Sequence, residues 1–254
     1  MLASPLALAW LPQSFLDGFG LVRTAAASYN SALVASFREL SFTLVATMTF
    51  AMPITVILGY TSVLSMRFGR GCARVLGVVE SVPAILIALF FYAPVSGYLA
   101  RNSSEVSEVL SLFVFILAAT LITLPEAVRG IAIPLNDLYN RKYSLSFRSY
   151  GFTKRRILLV LMNTNLMRNN IKRMTAGILL KTLVLDCSFG FIIQLGFGSY
   201  GTPAHISPGA LIAANRDALF EGGNPILFWM PSILLAAISI ALLLTFNDRK
   251  EADA

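Results

Sequence analysis

Three ionisable side chains, Glu80, Lys181 and Asp186, lie inside long apolar runs of this sequence. A charge in such a run costs about 2.5–3.5 kcal/mol when the segment inserts into a membrane, so it usually faces a cavity or a partner. Lys181 and Asp186 are poorly placed to pair with each other, because a spacing of five residues turns about 140° around a helix. The three could line a translocation path through the membrane, and Lys181 and Asp186 could instead contact a partner subunit. Alternatively, Lys181 extends to the membrane surface and Asp186 bonds to a neighbouring helix.

Two nearby carboxylates have local candidates as partners. Glu80 lies three residues before Pro83, and we expect it to hydrogen-bond there or to pair with Arg74. Glu126 lies next to Pro125 and close to Arg129, and we expect an ion pair at the membrane interface.

The sequence contains no set of residues that would support catalysis. It has no G-x-x-x-x-G-K-[ST] phosphate loop, so the chain is not expected to bind or hydrolyse ATP by that route. The one histidine, His205, lies in a Pro/Gly-rich stretch, and Cys72 and Cys187 form no metal-ligand pattern. We therefore expect no enzymatic activity, no metal and no other cofactor.

The composition is typical of a membrane protein with several spans. Of 254 residues, 56% are hydrophobic and 13% are charged, whereas a typical soluble domain has about 25% charged residues. A span needs about 20 apolar residues. Five runs are that long: 41–65, 74–98, 108–128, 174–196 and 224–246. A sixth run, 2–22, is doubtful because Pro5, Pro12 and Asp17 interrupt it.

The expected fold is therefore an all-α, polytopic transmembrane bundle with five clear spans and a doubtful N-terminal one. Residues 1–40 would form an N-terminal segment, with a possible atypical first span and a periplasmic stretch. Residues 41–250 would form the membrane domain.

The basic residues predict the orientation of these spans. Fifteen of the twenty Lys and Arg residues lie near 67–74, in 129–173 and at 249–250, segments that alternating spans place on one face. That face should be cytoplasmic, together with the C-terminus, and residues 23–40 should lie outside. The net charge of +7 sits in short loops between spans, which favours a multi-pass protein of the inner or plasma membrane over a nucleic-acid-binding protein.

The predicted cytoplasmic loop 139–173 is strongly basic, with nine Lys and Arg residues and no Asp or Glu. Aromatic and aliphatic residues recur at near-helical spacing on either side of Gly151, which predicts two short helices broken at that glycine. One interpretation is a docking surface for a partner protein. The other is a solvated loop held at lipid headgroups by Lys154, Arg155 and Arg156.

Arg148, Gly151 and Asn165 occur in a pattern that resembles the coupling loop of permease subunits of binding-protein-dependent ABC importers, in the dipeptide, oligopeptide and nickel branch. In that family the loop carries Glu-Ala-Ala, three residues, Gly, and later Leu-Pro-Asn. Here Leu145-Ser146-Phe147 and Asn163-Thr164 replace Glu-Ala-Ala and Leu-Pro. Three further segments are similar to the family's third span, periplasmic loop and last span: 74–89, 195–212 and 229–250.

The resemblance implies a type I importer permease that pairs with a second permease, two cytosolic ABC ATPases and a periplasmic or lipoprotein solute-binding protein. Coupling to the ATPases would run through the 143–156 loop. Its site residues would be Leu145, Ser146, Phe147, Arg148, Tyr150, Gly151 and Phe152, with Asn165 downstream. The implied substrate is a di- or oligopeptide, with nickel or another small chelate as an alternative. Because the family's Glu is missing, a non-transporting or decayed membrane scaffold remains a second hypothesis.

Overall fold

The computed structural model describes residues 27–99, 105–196, 207–219 and 225–246. Its helices are α1 Ala27–Leu64, α2 Met66–Ser81, α3 Ala84–Leu99, α4 Glu105–Asn140, α5 Lys142–Ser149, α6 Lys154–Met162, α7 Asn165–Gly196, α8 Pro208–Ala214 and α9 Ile226–Phe246. No strand occurs in these ranges, and the all-α prediction is confirmed. The run 2–22, His205 and residues 249–250 lie outside the described residues.

Four helices, α1, α4, α7 and α9, are long and apolar enough to cross a membrane. This confirms a helical membrane bundle, since each of the four contains most of one predicted span. Helix α1 is longer than expected, because it begins at Ala27 and its apolar span begins at Ala32. Residues 32–64 are more than the roughly 20 that a span needs, so the location of 23–40 outside the membrane stays a prediction. Leu33 and Leu40 are buried against α7 and α9, and this packing explains the continuous helix.

The predicted span 74–98 consists of parts of two helices, α2 and α3, which meet at an angle of 85°. Val82 is extended at the break, with φ −92° and ψ 132°. The cause is Pro83, because proline offers no backbone N–H and disfavours helical geometry in the residue before it. The bent pair is either one broken span or a structure that does not cross. By length and composition, the described part of the chain therefore has helices for four spans, or for five if the bent pair is one span.

The predicted loop 139–173 is mostly helical. Helix α4 continues to Asn140 and α7 begins at Asn165, so only short connections surround α5 and α6. The extension of α4 follows from an apolar stripe, Ile131, Leu135 and Leu138, that is buried in the core. The prediction of two short helices broken at Gly151 is confirmed.

The α5–α6 hairpin, residues 142–162, lies at one end of the bundle. Ile157, Leu158 and Leu161 of α6 are buried in the same cluster as Ile131 of α4 and Met174 of α7. At the opposite end, the Tyr29 hydroxyl of α1 donates a hydrogen bond of 2.7 Å to the Leu227 carbonyl, near the start of α9. Helix α9 therefore starts at the end of the bundle away from the hairpin.

Candidate functional site

The turn between α5 and α6 is a Schellman motif. The Phe152 N–H donates to the Phe147 carbonyl at 3.1 Å, and the Gly151 N–H donates to the Arg148 carbonyl at 3.0 Å. Gly151 has φ +79°, a left-handed conformation that side chains with a Cβ rarely adopt. The rings of Phe147 and Phe152 meet edge to face at 5.8 Å, which supplies the apolar contact of this motif. The turn therefore has one defined geometry.

The hairpin is fixed to the ends of two long helices. Lys154 donates to the Val63 carbonyl and, at 3.0 Å, to the Leu64 carbonyl at the end of α1. Ser144 is fully buried and donates to the Leu138 carbonyl of α4 at 2.7 Å. These bonds satisfy carbonyls at helix C-termini, which have no partner within their own helix. A displacement of the hairpin must therefore move α1 and α4 or break these bonds.

The hairpin exposes an apolar tip made by Leu145, Tyr150 and Phe152. Tyr150 is 80% exposed and Leu145 52% exposed, while Ser146 lies exposed beside them. Phe147, predicted to contact a partner, is partly buried and packs on the core. The exposed apolar surface of the tip is therefore smaller than the sequence predicted, because it does not include Phe147.

The two remaining residues of the predicted coupling set have different positions. Arg148 donates to the Tyr139 carbonyl at 2.7 Å, and its guanidinium lies 3.9 Å from the centre of the Tyr139 ring. It therefore ties α5 to the end of α4. Asn165 is exposed as the first residue of α7, after the hairpin.

A second feature is a cleft of about 290 Å³ between α4 and α7. Helix α4 contributes Thr123, Glu126, Ala127, Gly130 and Pro134, and helix α7 contributes Asn170, Arg173, Met174, Gly177, Ile178 and Lys181. The α7 residues Asn170, Arg173, Gly177 and Lys181 recur at helical spacing and share one face. That spacing was readable in the sequence, although Asn170 and Arg173 were not singled out there.

Charged groups line this cleft. The Lys181 Nζ atom lies 3.3 Å from Glu126 Oε2, and the Glu126 side chain is 70% exposed. Arg173 is also exposed, so the cleft carries two cations and one anion. Glu126 and Lys181 both belong to apolar spanning segments. Because exposure of such groups to lipid is costly, the open side of the cleft fits water or another protein.

The other two ionisable residues predicted for a path lie elsewhere. Asp186 is fully buried inside the bundle and does not line the cleft. Glu80 pairs with Arg129 at 2.6 Å and joins the last turn of α2 to α4. The expected pairing of Glu80 with Arg74 is therefore wrong. Glu126 does form an ion pair, but with Lys181 of α7 rather than with a neighbour along its own helix.

Comparison of the chain with models of known protein families finds no match, and comparison with curated proteins finds none either. In the described ranges, no three His, Cys, Asp or Glu side chains come together in a way that could hold a metal ion. Within the described ranges, the exposed tip of the hairpin and the charged cleft are two features that could interact with other molecules.

Proposed function

We propose that this chain is a permease subunit of an ATP-driven importer. The observation that carries the proposal is the α5–α6 hairpin, which exposes Leu145 and Tyr150 while its other side is bonded to α1 and α4. When a bound cytosolic partner moves, a hairpin held in this way transmits the movement to the spanning helices. The hairpin needs no catalytic activity for this role. The resemblance of 143–156 to a permease coupling loop implies that this partner is an ABC ATPase.

The charged cleft would then line half of the translocation path, and a second permease subunit would supply the other half. Glu126 can attract an amino group, while Lys181 and Arg173 can attract a carboxylate. A short peptide carries both groups, so this charge set agrees with the di- or oligopeptide that the resemblance implies. A solute-binding protein on the far side of the membrane would deliver the substrate.

The alternative function is a non-transporting membrane scaffold. It is favoured by one observation, namely that Leu145 stands where the resembling permeases carry the Glu that seats in the ATPase. A scaffold would still use the hairpin to contact a partner protein, but it would not need the charged cleft. Loss of uptake on changing Lys181 would therefore argue against it.

The test is purification of the tagged chain from native membranes, followed by reconstitution of the complex into vesicles. A permease should bring down a second permease and ATPases with a phosphate-loop motif, and it should take up labelled dipeptide only with ATP. Lys181→Met should lower uptake at least tenfold. The control Ile133→Ala, which changes an exposed aliphatic side chain of α4, should not. Recovery of the chain alone, without uptake, would overturn the proposal.

A further inference from the structure

Helix α2 is sharply bent away from the direction of the next helix, α3. It follows α1 after a break at Ser65 and meets α3 at 85°. At its start, Gly69 approaches α1 so closely that a Cβ atom there would lie 2.5 Å from the Ser62 carbonyl oxygen. At its end, the Glu80–Arg129 ion pair fixes it to α4. Both ends of α2 are therefore held in place.

The surface of α2 is divided into three strips. Leu76 is buried against α4, on the packed side. Arg67, Arg70 and Arg74 form a basic strip within about 60° of one another around the helix, and all three are exposed. Phe68 and Val75 form an apolar strip centred about 120° away, and they are 46% and 66% exposed.

Full immersion in either hydrocarbon or water would be unfavourable for one of the two exposed strips. In hydrocarbon the three arginines would lose their hydration, which strongly opposes insertion. In water Phe68 and Val75 would remain unburied. A helix with one charged and one apolar face is suited to the membrane interface, where each strip meets a matching layer.

We propose that α2 is an interfacial helix that binds the anionic phospholipids of the leaflet on the hairpin side. The guanidinium groups of Arg67, Arg70 and Arg74 contact headgroup phosphates, and Phe68 and Val75 enter the upper acyl layer. The leaflet is set by the position of α2 directly after the C-terminal end of α1, where Lys154 of the hairpin is bound. The proposal does not depend on transport.

The depth of α2 can be measured with single tryptophans at positions 68, 75 and 79, placed in a Trp10→Phe, Trp229→Phe background. Quenching by phospholipids brominated at different acyl carbons reports the depth of each one. An interfacial helix predicts three similar, shallow depths. A helix that stands in the membrane predicts depths about 16 Å apart for positions 68 and 79, at 1.5 Å per residue. That result would overturn the proposal, and so would absence of quenching, which would mean that protein or water covers the strip.

Lipid selectivity tests the basic strip. Vesicles with and without phosphatidylglycerol would be compared for the wild type and for the triple variant R67Q/R70Q/R74Q. The triple variant should lose at least about tenfold in preference for the anionic lipid. The control R141Q/K142Q/R168Q removes the same charge from exposed positions at the hairpin end of the bundle and should change the preference far less. Equal losses in both variants, or no loss in the first, would overturn the assignment.

Discussion

The Nζ atom of Lys154 lies 3.0 Å from the carbonyl oxygen of Leu64, the last residue of α1. The first residue of α6 thus supplies a cation to the C-terminal end of a spanning helix, where the helix dipole favours positive charge. This bond links the α5–α6 hairpin directly to α1.

Replacing Lys154 with Met should weaken that link, because it leaves the Leu64 and Val63 carbonyls without their donor. We expect the unfolding free energy to fall by about 1–2 kcal/mol and ATP-dependent uptake to fall more than ATPase binding does. Thermal unfolding in detergent and uptake assays would measure the two effects. Lys142→Met, at an exposed position of α5, is the control. An equal effect at Lys142 would show that only net charge matters.

Replacing Gly151 with Ala should strain the Schellman turn, because the residue there has φ +79°. The expected cost is about 1–2 kcal/mol, and the tip at Tyr150 should lose its defined position. The control is Gly71→Ala, at a helical glycine with open space around it, which should be neutral or stabilising. Circular-dichroism melting curves would compare the two. A Gly151→Ala protein as stable as the wild type would contradict the turn geometry.

Local sequence signals predicted much of this fold. Hydropathy located the four long apolar helices but not the break within 74–98, and Gly151 between two short apolar patterns predicted the hairpin. Positions such as Tyr150 were identified because a resemblance pointed to them. Their exposure was not predictable, since Phe147 and Tyr150 look equivalent in the sequence and only packing on the core separates them.

Local sequence signals did not predict which charged residues form ion pairs between helices. Glu126 and Lys181 are 55 residues apart, and the sequence around each residue does not indicate that the two form an ion pair. Glu80 likewise had a basic residue, Arg74, closer in sequence than Arg129. These ion pairs depend on how α4 is rotated and placed against α2 and α7. That arrangement cannot be predicted from the local pattern of one sequence. The bend after α2 was signalled by Pro83, but not its angle.

The Glu126–Lys181 pair should contribute little to stability and much to uptake. Because both side chains are partly exposed, a double-mutant cycle with Glu126→Gln and Lys181→Met should give a coupling energy below about 1 kcal/mol. Uptake should fall at least tenfold in each single variant. The charge swap E126K/K181E should restore stability but not uptake, since the substrate would meet reversed charges. Full uptake by the swapped protein would rule out a direct role in the path.

Stability should also depend on pH through Tyr29, which lies before the apolar span of α1. Burial raises the pKa of Tyr29 from 10.0 to about 12. Between pH 10 and 12 the unfolded chain releases this proton while the folded chain keeps it. The unfolding free energy should therefore fall over that range, by up to about 2–3 kcal/mol.

The comparison that isolates this effect is wild type against Tyr29→Phe. The stability advantage of the wild type should shrink as pH rises from 9 to 12, measured by chemical unfolding. A constant difference between wild type and Tyr29→Phe would show that Tyr29 does not titrate this way.

Photo-crosslinking from the hairpin tip in living cells would show whether Tyr150 contacts an ABC ATPase. Tyr150 would be replaced with p-benzoylphenylalanine, and Arg216, an exposed residue outside the hairpin, would carry the same group in the control. We expect a crosslink from position 150, and not from position 216, to a protein with a G-x-x-x-x-G-K-[ST] phosphate loop. No crosslink from position 150, or a crosslink only to a protein without that motif, would show that the hairpin tip does not dock on an ABC ATPase.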